Sequence, residues 1–291
     1  MRYPHFLALA LALGGGIIAA APDAAAQSRS EVRKTAEGSM VLTGQINIGT
    51  EGQVEGFVLD QREKVAADLA SFVDRSVQTW RFEPIVRDGK PVRARTQVSI
   101  RLLANAGPDG KDMVTLDAAN FGTYDNASTD QVTSVKLQPP MFPSVAADMG
   151  GRGEVILIVQ VGRDGEVMDV IAEQVNLRVL GDERRMQKLR EVFARYSVKA
   201  ARSWTFRAPT TGDDKDAPFW SVRVPVNFDY TDQERGIGYG QWRVYIPGPR
   251  AQAAWRSLEQ REKDTHGPLA YGGVYMADVN NGPRLLTPLG G

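Results

Sequence analysis

TWRFEP, Thr79–Pro84, and SWTFRAP, Ser203–Pro209, carry the same Trp-x-Phe pattern ahead of a proline. A pattern written twice in one chain asks for an internal repeat before any local reading of structure. Working outward from each copy gives the same order of elements. Upstream of Trp80, MVLTGQINI (40–48) puts Leu42, Ile46 and Ile48 on one face at period two, Gly49-Thr50-Glu51-Gly52 supplies a turn, and VEGFVLD (54–60) resumes extended chain. Asp60 with Glu63 has the spacing of a helix capping box, and Val65, Leu69, Phe72, Val73, Val77 and Trp80 follow at helical spacing. The helix therefore delivers Trp80 on its buried side. After a turn at Asp88-Gly89, TQVSIRL (96–102) alternates Val98, Ile100 and Leu102 inward with Gln97, Ser99 and Arg101 outward.

Upstream of Trp204 the order recurs. VILIVQV (155–161) is a strongly apolar strand, Gly162-Arg163-Asp164-Gly165 is a turn, and EVMDVIAEQV (166–175) is the second strand. Asp182 is placed to cap a helix in which Met186, Leu189, Phe193, Tyr196, Ala200 and Trp204 share a face. SVRVPVNF (221–228) closes the unit. The expected fold is α+β: two tandem ββαβ units, each a three-stranded antiparallel sheet in spatial order 2-1-3 with one helix on one face, because the helix returns the chain to lay the third strand beside the first.

The expected divisions are a signal peptide at 1–26, repeat 1 at 38–104, a linker at 105–138, repeat 2 at 139–230 and a tail at 231–291. The linker assignment rests on the polar, Gly, Asp and Asn rich run 106–134. In the tail, a helical stretch spans 250–263, and VYMADV with PRLLTP around Asn280-Asn281-Gly282 has the makings of a hairpin.

The opening MRYPHFLALALALGGGIIAAAPDAAAQS joins one charge, an apolar run and a small-residue site before Gln27, the layout of a cleavable secretory signal. The run is shorter than the roughly 20 apolar residues a spanning helix needs. A periplasmic location is expected, with an inner-membrane anchor the weaker alternative. Lys plus Arg total 35 and Asp plus Glu total 35, so no net charge draws the chain to nucleic acid. The chain has no cysteine, which removes disulfides, thiolate nucleophiles and thiolate metal sites.

Set in order, Pro140-Met141-Phe142-Pro143-Ser144-Val145-Ala146, Gly153-Glu154-Val155, Asp164-Gly165-Glu166-Val167, Trp204-Thr205-Phe206 and VRVPVNF resemble the C-terminal domain of TonB proteins, the bacterial energy transducers. Gly52-Gln53-Val54, Trp80-Arg81-Phe82-Glu83-Pro84, Asp88-Gly89-Lys90-Pro91-Val92 and QVSIRL resemble it more loosely and lack the opening Phe-Pro element. The resemblance implies a periplasmic binding domain that takes the N-terminal box of an outer-membrane transporter as an added strand on the edge of its last strand. The edge residues are then Ser221, Val222, Arg223, Val224, Val226, Asn227 and Phe228, or Thr96–Leu102 in the first copy. Pro225 fits an edge, where a missing N–H is tolerated. No Lys-Pro or Glu-Pro run supplies the long spacer of a transducer, so the reading is a binding module.

Trp220, Arg93 and Arg95 are added as partner contacts, Trp220 for its place beside the edge and the arginines for an acidic partner. Trp80 and Trp204 read as core. His5 lies in the leader and His266 in a loop, so a histidine triad or metal centre is hard to build; no catalytic residue, metal or cofactor is expected. DMGGRGE (148–154) lacks the Lys-Ser/Thr of a phosphate loop and precedes a strand. The expected partner is an envelope protein or peptide. The alternative is a structural envelope protein whose repeats self-associate, which leaves a homodimer open. A periplasmic hydrolase is disfavoured.

Overall fold

Twelve residues from Glu37 form the first long strand because every second side chain from Met40 to Ile48 is apolar or Gly44, and those side chains are buried. The computed structural model describes residues 35–106, 112–122, 124–229, 238–262, 267–277 and 282–290; the leader and His266 lie outside the described residues.

In chain order the elements are β1 (Glu37–Ile48), β2 (Val54–Leu59), α1 (Ala67–Gln78), β3 (Val86–Arg87), β4 (Lys90–Pro91), β5 (Ala94–Ala106), β6 (Asp112–Phe121), β7 (Thr133–Lys136) and α2 (Ser144–Asp148). They continue with β8 (Gly153–Gly162), β9 (Val167–Leu177), α3 (Glu183–Ala201), β10 (Thr205–Arg207), β11 (Phe219–Phe228), β12 (Arg243–Tyr245), α4 (Leu258–Glu262) and β13 (Tyr275–Met276). The fold is α+β with antiparallel sheets.

The first sheet runs β2-β1-β5-β6, with β12 also on the β2 side of β1. The second runs β9-β8-β11-β13. Both hold the 2-1-3 order, and both are wider than three strands. The added strands come from stretches read as linker and tail: β6 pairs along β5 from Val98↔Phe121 to Ala106↔Asp112, and β13 pairs with β11 at Val222↔Met276 and Arg223↔Tyr275. The linker reading missed β6 because Val114, Leu116 and Ala118 are few apolar residues among many polar ones, although Leu116 and Ala118 are buried.

Each sheet has one apolar face under a helix. In the first, Leu42, Ile46, Ile48, Val98, Ile100 and Leu102 meet Val73 and Val77 of α1. In the second, Val155, Leu157, Val159, Val222, Val224 and Phe228 meet Met186, Leu189 and Phe193 of α3. Each fully buried residue of this kind contributes about 1.5–3 kcal/mol, so these two layers carry most of the stability. Phe193 and Phe228 stack with centroids 4.4 Å apart, and Phe142 meets both edge-on.

The helix starts differ. The Asp182 carboxylate accepts the Arg185 backbone N–H at 2.9 Å, as its position before the apolar face requires. Asp60 does not cap a helix. It accepts from the Thr43 hydroxyl at 2.6 Å, a 3-10 turn follows at Arg62–Lys64, and α1 begins only at Ala67 after an Ala66 with no side-chain cap. Trp80 and Trp204 therefore sit just past their helices, with indoles buried. The tail helix is also shorter than expected, and no described pairing joins 274–277 to 283–288: the first strip pairs with β11, the second with 81–83.

Candidate functional site

The edge of β11 is built by alternation. Val222, Val224, Val226 and Phe228 point into the α3 core, while Ser221, Arg223 and Asn227 lie on the other face. Arg223 is buried there, and its guanidinium donates to both oxygens of the Glu173 carboxylate, at 2.6 and 2.7 Å, reaching across β8 to β9. Such a fork holds strand spacing, since a carboxylate accepts two guanidinium N–H groups in one plane. The Ser221 hydroxyl accepts the Trp255 indole N–H at 3.2 Å. Arg178 donates to Asn227 Oδ1 at 2.9 Å and pairs with Asp229.

Backbone groups alternate sideways in the same strand. The Ser221 carbonyl accepts the Ala277 N–H at 2.8 Å, so Ser221 faces away from β8. By period two, Arg223, Pro225 and Asn227 face the same way. Pro225 thus spends its missing N–H on the outer side, as edge position demands. The tail strand takes the start of this edge, at Val222 and Arg223; among the described residues no strand pairs outward with Pro225–Phe228. The matching edge in the first sheet, Thr96–Leu102, is taken by β6 from Val98 onward.

The remaining partner candidates are scattered. Trp220 is only 4 % exposed and its indole N–H donates to the Asp214 carbonyl at 2.9 Å, so its ring belongs to the core and not to the surface. Arg93 is exposed and paired with Glu55 at 2.9 Å, and Arg95 donates to Asn47 Oδ1 at 2.9 Å. Both lie in the other unit from the β11 edge. Lys215 and Asp216 pair within their exposed turn, which draws the Asp216 carboxyl below its ordinary range.

A cleft of about 700 Å³ opens beside the first sheet, lined by Val41, Thr43, Tyr239, Arg243, Tyr271 and Tyr275. Burial pushes the Tyr239 and Tyr275 hydroxyls above the usual tyrosine range. Tyr239 is structural: its hydroxyl accepts from the Thr43 N–H and donates to the Thr43 carbonyl, both at 2.9 Å, at the step of β1 between the reach of β12 and that of β2.

Both Trp-x-Phe stretches are docked in the same way. Gly52 and Gly165, at φ +80° and +81°, lie against the Phe82 and Phe206 carbonyls, where an added Cβ would sit 1.9 and 2.0 Å from oxygen. The Phe82 and Phe206 N–H groups donate back to the Gly52 and Gly165 carbonyls at 2.7 and 2.9 Å. No side chain other than hydrogen fits that approach. Sequence reading found these turns and these tryptophans; it missed what lies on their outer side, because main-chain pairing leaves no periodic side-chain signal.

Over 102 residues the chain is 38% identical to Protein TonB of Xanthomonas campestris pv. campestris strain B100, and equally to Protein TonB of strain ATCC 33913. The match takes in 35% of this chain and 39% of each relative, so the chain spans well under half the length of the curated relatives it matches. The similarity gives the chain a TonB C-terminal-like domain. No known family profile matches the chain, and no solved structure matches it. No helix among the described residues is long and apolar enough to cross a membrane.

Proposed function

We propose that the chain is a non-catalytic, periplasmic interaction module with two TonB C-terminal-like units, at 38–104 and 139–230, that recruits an extended segment of an envelope protein, such as the box of an outer-membrane transporter, by strand addition on the outer edge of β11. The observation that carries this reading is the bond from the Ala277 N–H to the Ser221 carbonyl, with Tyr275 and Met276 in antiparallel register: the edge accepts an added strand. Beyond it the strand presents outward the carbonyl of Pro225 and both backbone groups of Asn227. Main-chain bonds then supply affinity, and side chains on alternate faces supply selectivity. A two-residue pairing is a weak competitor, so a longer peptide displaces it at small cost.

The test is calorimetric titration of the full chain with peptides from the N-termini of outer-membrane transporters. Micromolar binding that falls at least tenfold in Asn227→Pro, which deletes the outward N–H, is the expected result. Binding indifferent to Asn227→Pro, or absent at millimolar peptide, overturns it. A mass in solution of two or more chains with no peptide binding assigns the edges to self-association.

A further inference from the structure

We propose that the groove beside Trp80 and Phe82 is a second peptide-binding site, whose ligand in this structure is residues 284–289 of the same chain. The inference does not depend on what binds β11.

The second unit supplies the reference. There β7 lies antiparallel to β10 with Phe206 opposite Ser134, and the Trp204 indole donates to the Gln138 carbonyl at 2.8 Å. In the first unit Phe82 stands opposite Leu285, antiparallel, and the Trp80 indole donates to the Leu289 carbonyl at 3.1 Å. From Ser134 to Gln138 and from Leu285 to Leu289 the separation is the same four residues. Phe82 and Phe206 are each held from the other side by a glycine carbonyl, as described above. Residues 285–289 thus occupy in the first unit the place that 134–138 occupy in the second. The difference is origin. In the second unit the strand comes directly before the unit in the chain; in the first it arrives from beyond β13, long after the unit has closed.

The contacts define what the groove reads. The Leu286 N–H donates to the Arg81 carbonyl at 2.7 Å, the Glu83 N–H donates to the Arg284 carbonyl at 2.9 Å, and the Arg81 N–H donates to the Thr287 hydroxyl at 3.1 Å. Leu285 and Leu289 pack on the first core, while Leu286 is exposed. The ligand class is therefore an extended peptide of six residues with apolar side chains at its second and sixth positions and a hydroxyl at its fourth. Most of its bonds are main-chain, the mode that lets a segment bind wherever it is tethered. The tether makes binding intramolecular, at an effective concentration in the millimolar range.

The test keeps the chain whole until it is folded. A protease site inserted after Ala277 is cut in the folded protein, and the freed segment is followed by size exclusion. It is expected to co-elute with the body and to be exchanged by excess synthetic peptide spanning 282–291. Calorimetry on the stripped body then gives one site, weakened about fivefold in Trp80→Phe, which keeps an aromatic six-membered ring at the position and loses the N–H, the equivalent of about 1 kcal/mol. A peptide carrying Leu285→Asp is expected not to bind. If the stripped body unfolds, the peptide restores its folded signal. Loss of the segment with no change in melting temperature, equal binding of the Leu285→Asp peptide, or an unfolded body that the peptide does not restore each overturns the proposal.

Discussion

The two Trp-x-Phe stretches end in the same layered contact, a glycine turn, a short strand holding the phenylalanine, and an outer strand. Yet the outer strand of one is residues 133–136 and that of the other is residues 284–286. The comparison teaches that the contact is specified by main-chain geometry and a buried indole N–H, not by chain order. A strand that pairs through its backbone can be supplied from anywhere the chain reaches.

The largest expected effect tests whether the two indoles are equivalent. Trp80→Ala and Trp204→Ala are each expected to cost about 3–5 kcal/mol in denaturant unfolding, since both rings are buried and both N–H groups are bonded. A loss confined to one of them breaks the equivalence. Next come the ion pairs that brace the third strand of each sheet. Arg223→Met removes both guanidinium bonds from the buried Glu173 and leaves Arg250 as a nearby cation, at about 3 kcal/mol. Arg101→Met, opposite an Asp117 that is 32% exposed, is expected to cost under about 1 kcal/mol, although Arg101 Nη2 and Nε lie 2.5 and 2.7 Å from Asp117 Oδ2. Equal costs in chemical denaturation would mean the Arg101–Asp117 pair is as dry as Arg223–Glu173.

Smaller again is the glycine test. Gly52→Ala and Gly165→Ala each force a positive φ on a side chain, about 1–3 kcal/mol, and push a carbonyl away besides. Both are expected to lower the melting temperature alike. Asp182→Ala is expected to cost about 1 kcal/mol through its lost cap, while Asp60→Ala leaves the helix content by circular dichroism unchanged, because α1 starts seven residues later at Ala67.

The smallest effect concerns the strip that joins the units. Burial, then the bond to Glu37 at 2.6 Å, raises the Tyr245 hydroxyl far above the ordinary tyrosine value. A group raised in the folded state holds its proton more tightly there, so its stabilisation is complete below about pH 10, the unfolded value, and is lost as pH rises beyond it. Tyr245→Phe is expected to flatten the alkaline limb of a stability profile measured from pH 8 to 11.5.

Much of this was legible in the residues. Period-two runs marked β1, β5 and β11, a continuous apolar run marked β8, the four-residue glycine turns marked both hairpins, and Asp182 announced α3. The strand edges were not legible. Whether an edge stays open depends on a segment elsewhere in the chain whose only qualification is an extended backbone; β13 and 284–286 are too short to alternate, and β6 alternates only over Val114, Leu116 and Ala118. The start of α1 was misread for a local reason: Asp60 had a nearer use, the Thr43 hydroxyl on the neighbouring strand. Trp220 is legible once alternation is carried one step upstream, because at period two it shares the face of Val222 and Val224 and is buried with them.

The strip from Arg243 to Ile246 belongs to both sheets. Its first part pairs with Glu37–Ser39, and Ile246 exchanges both backbone bonds with Leu177, at 2.7 and 3.0 Å. Mechanically it is a tie bar. Traction on one unit reaches the other through hydrogen bonds anchored in the long first strand and in the end of β9, without passing through residues 122–132. The two units are thus joined by paired backbone as well as by the chain that runs between them.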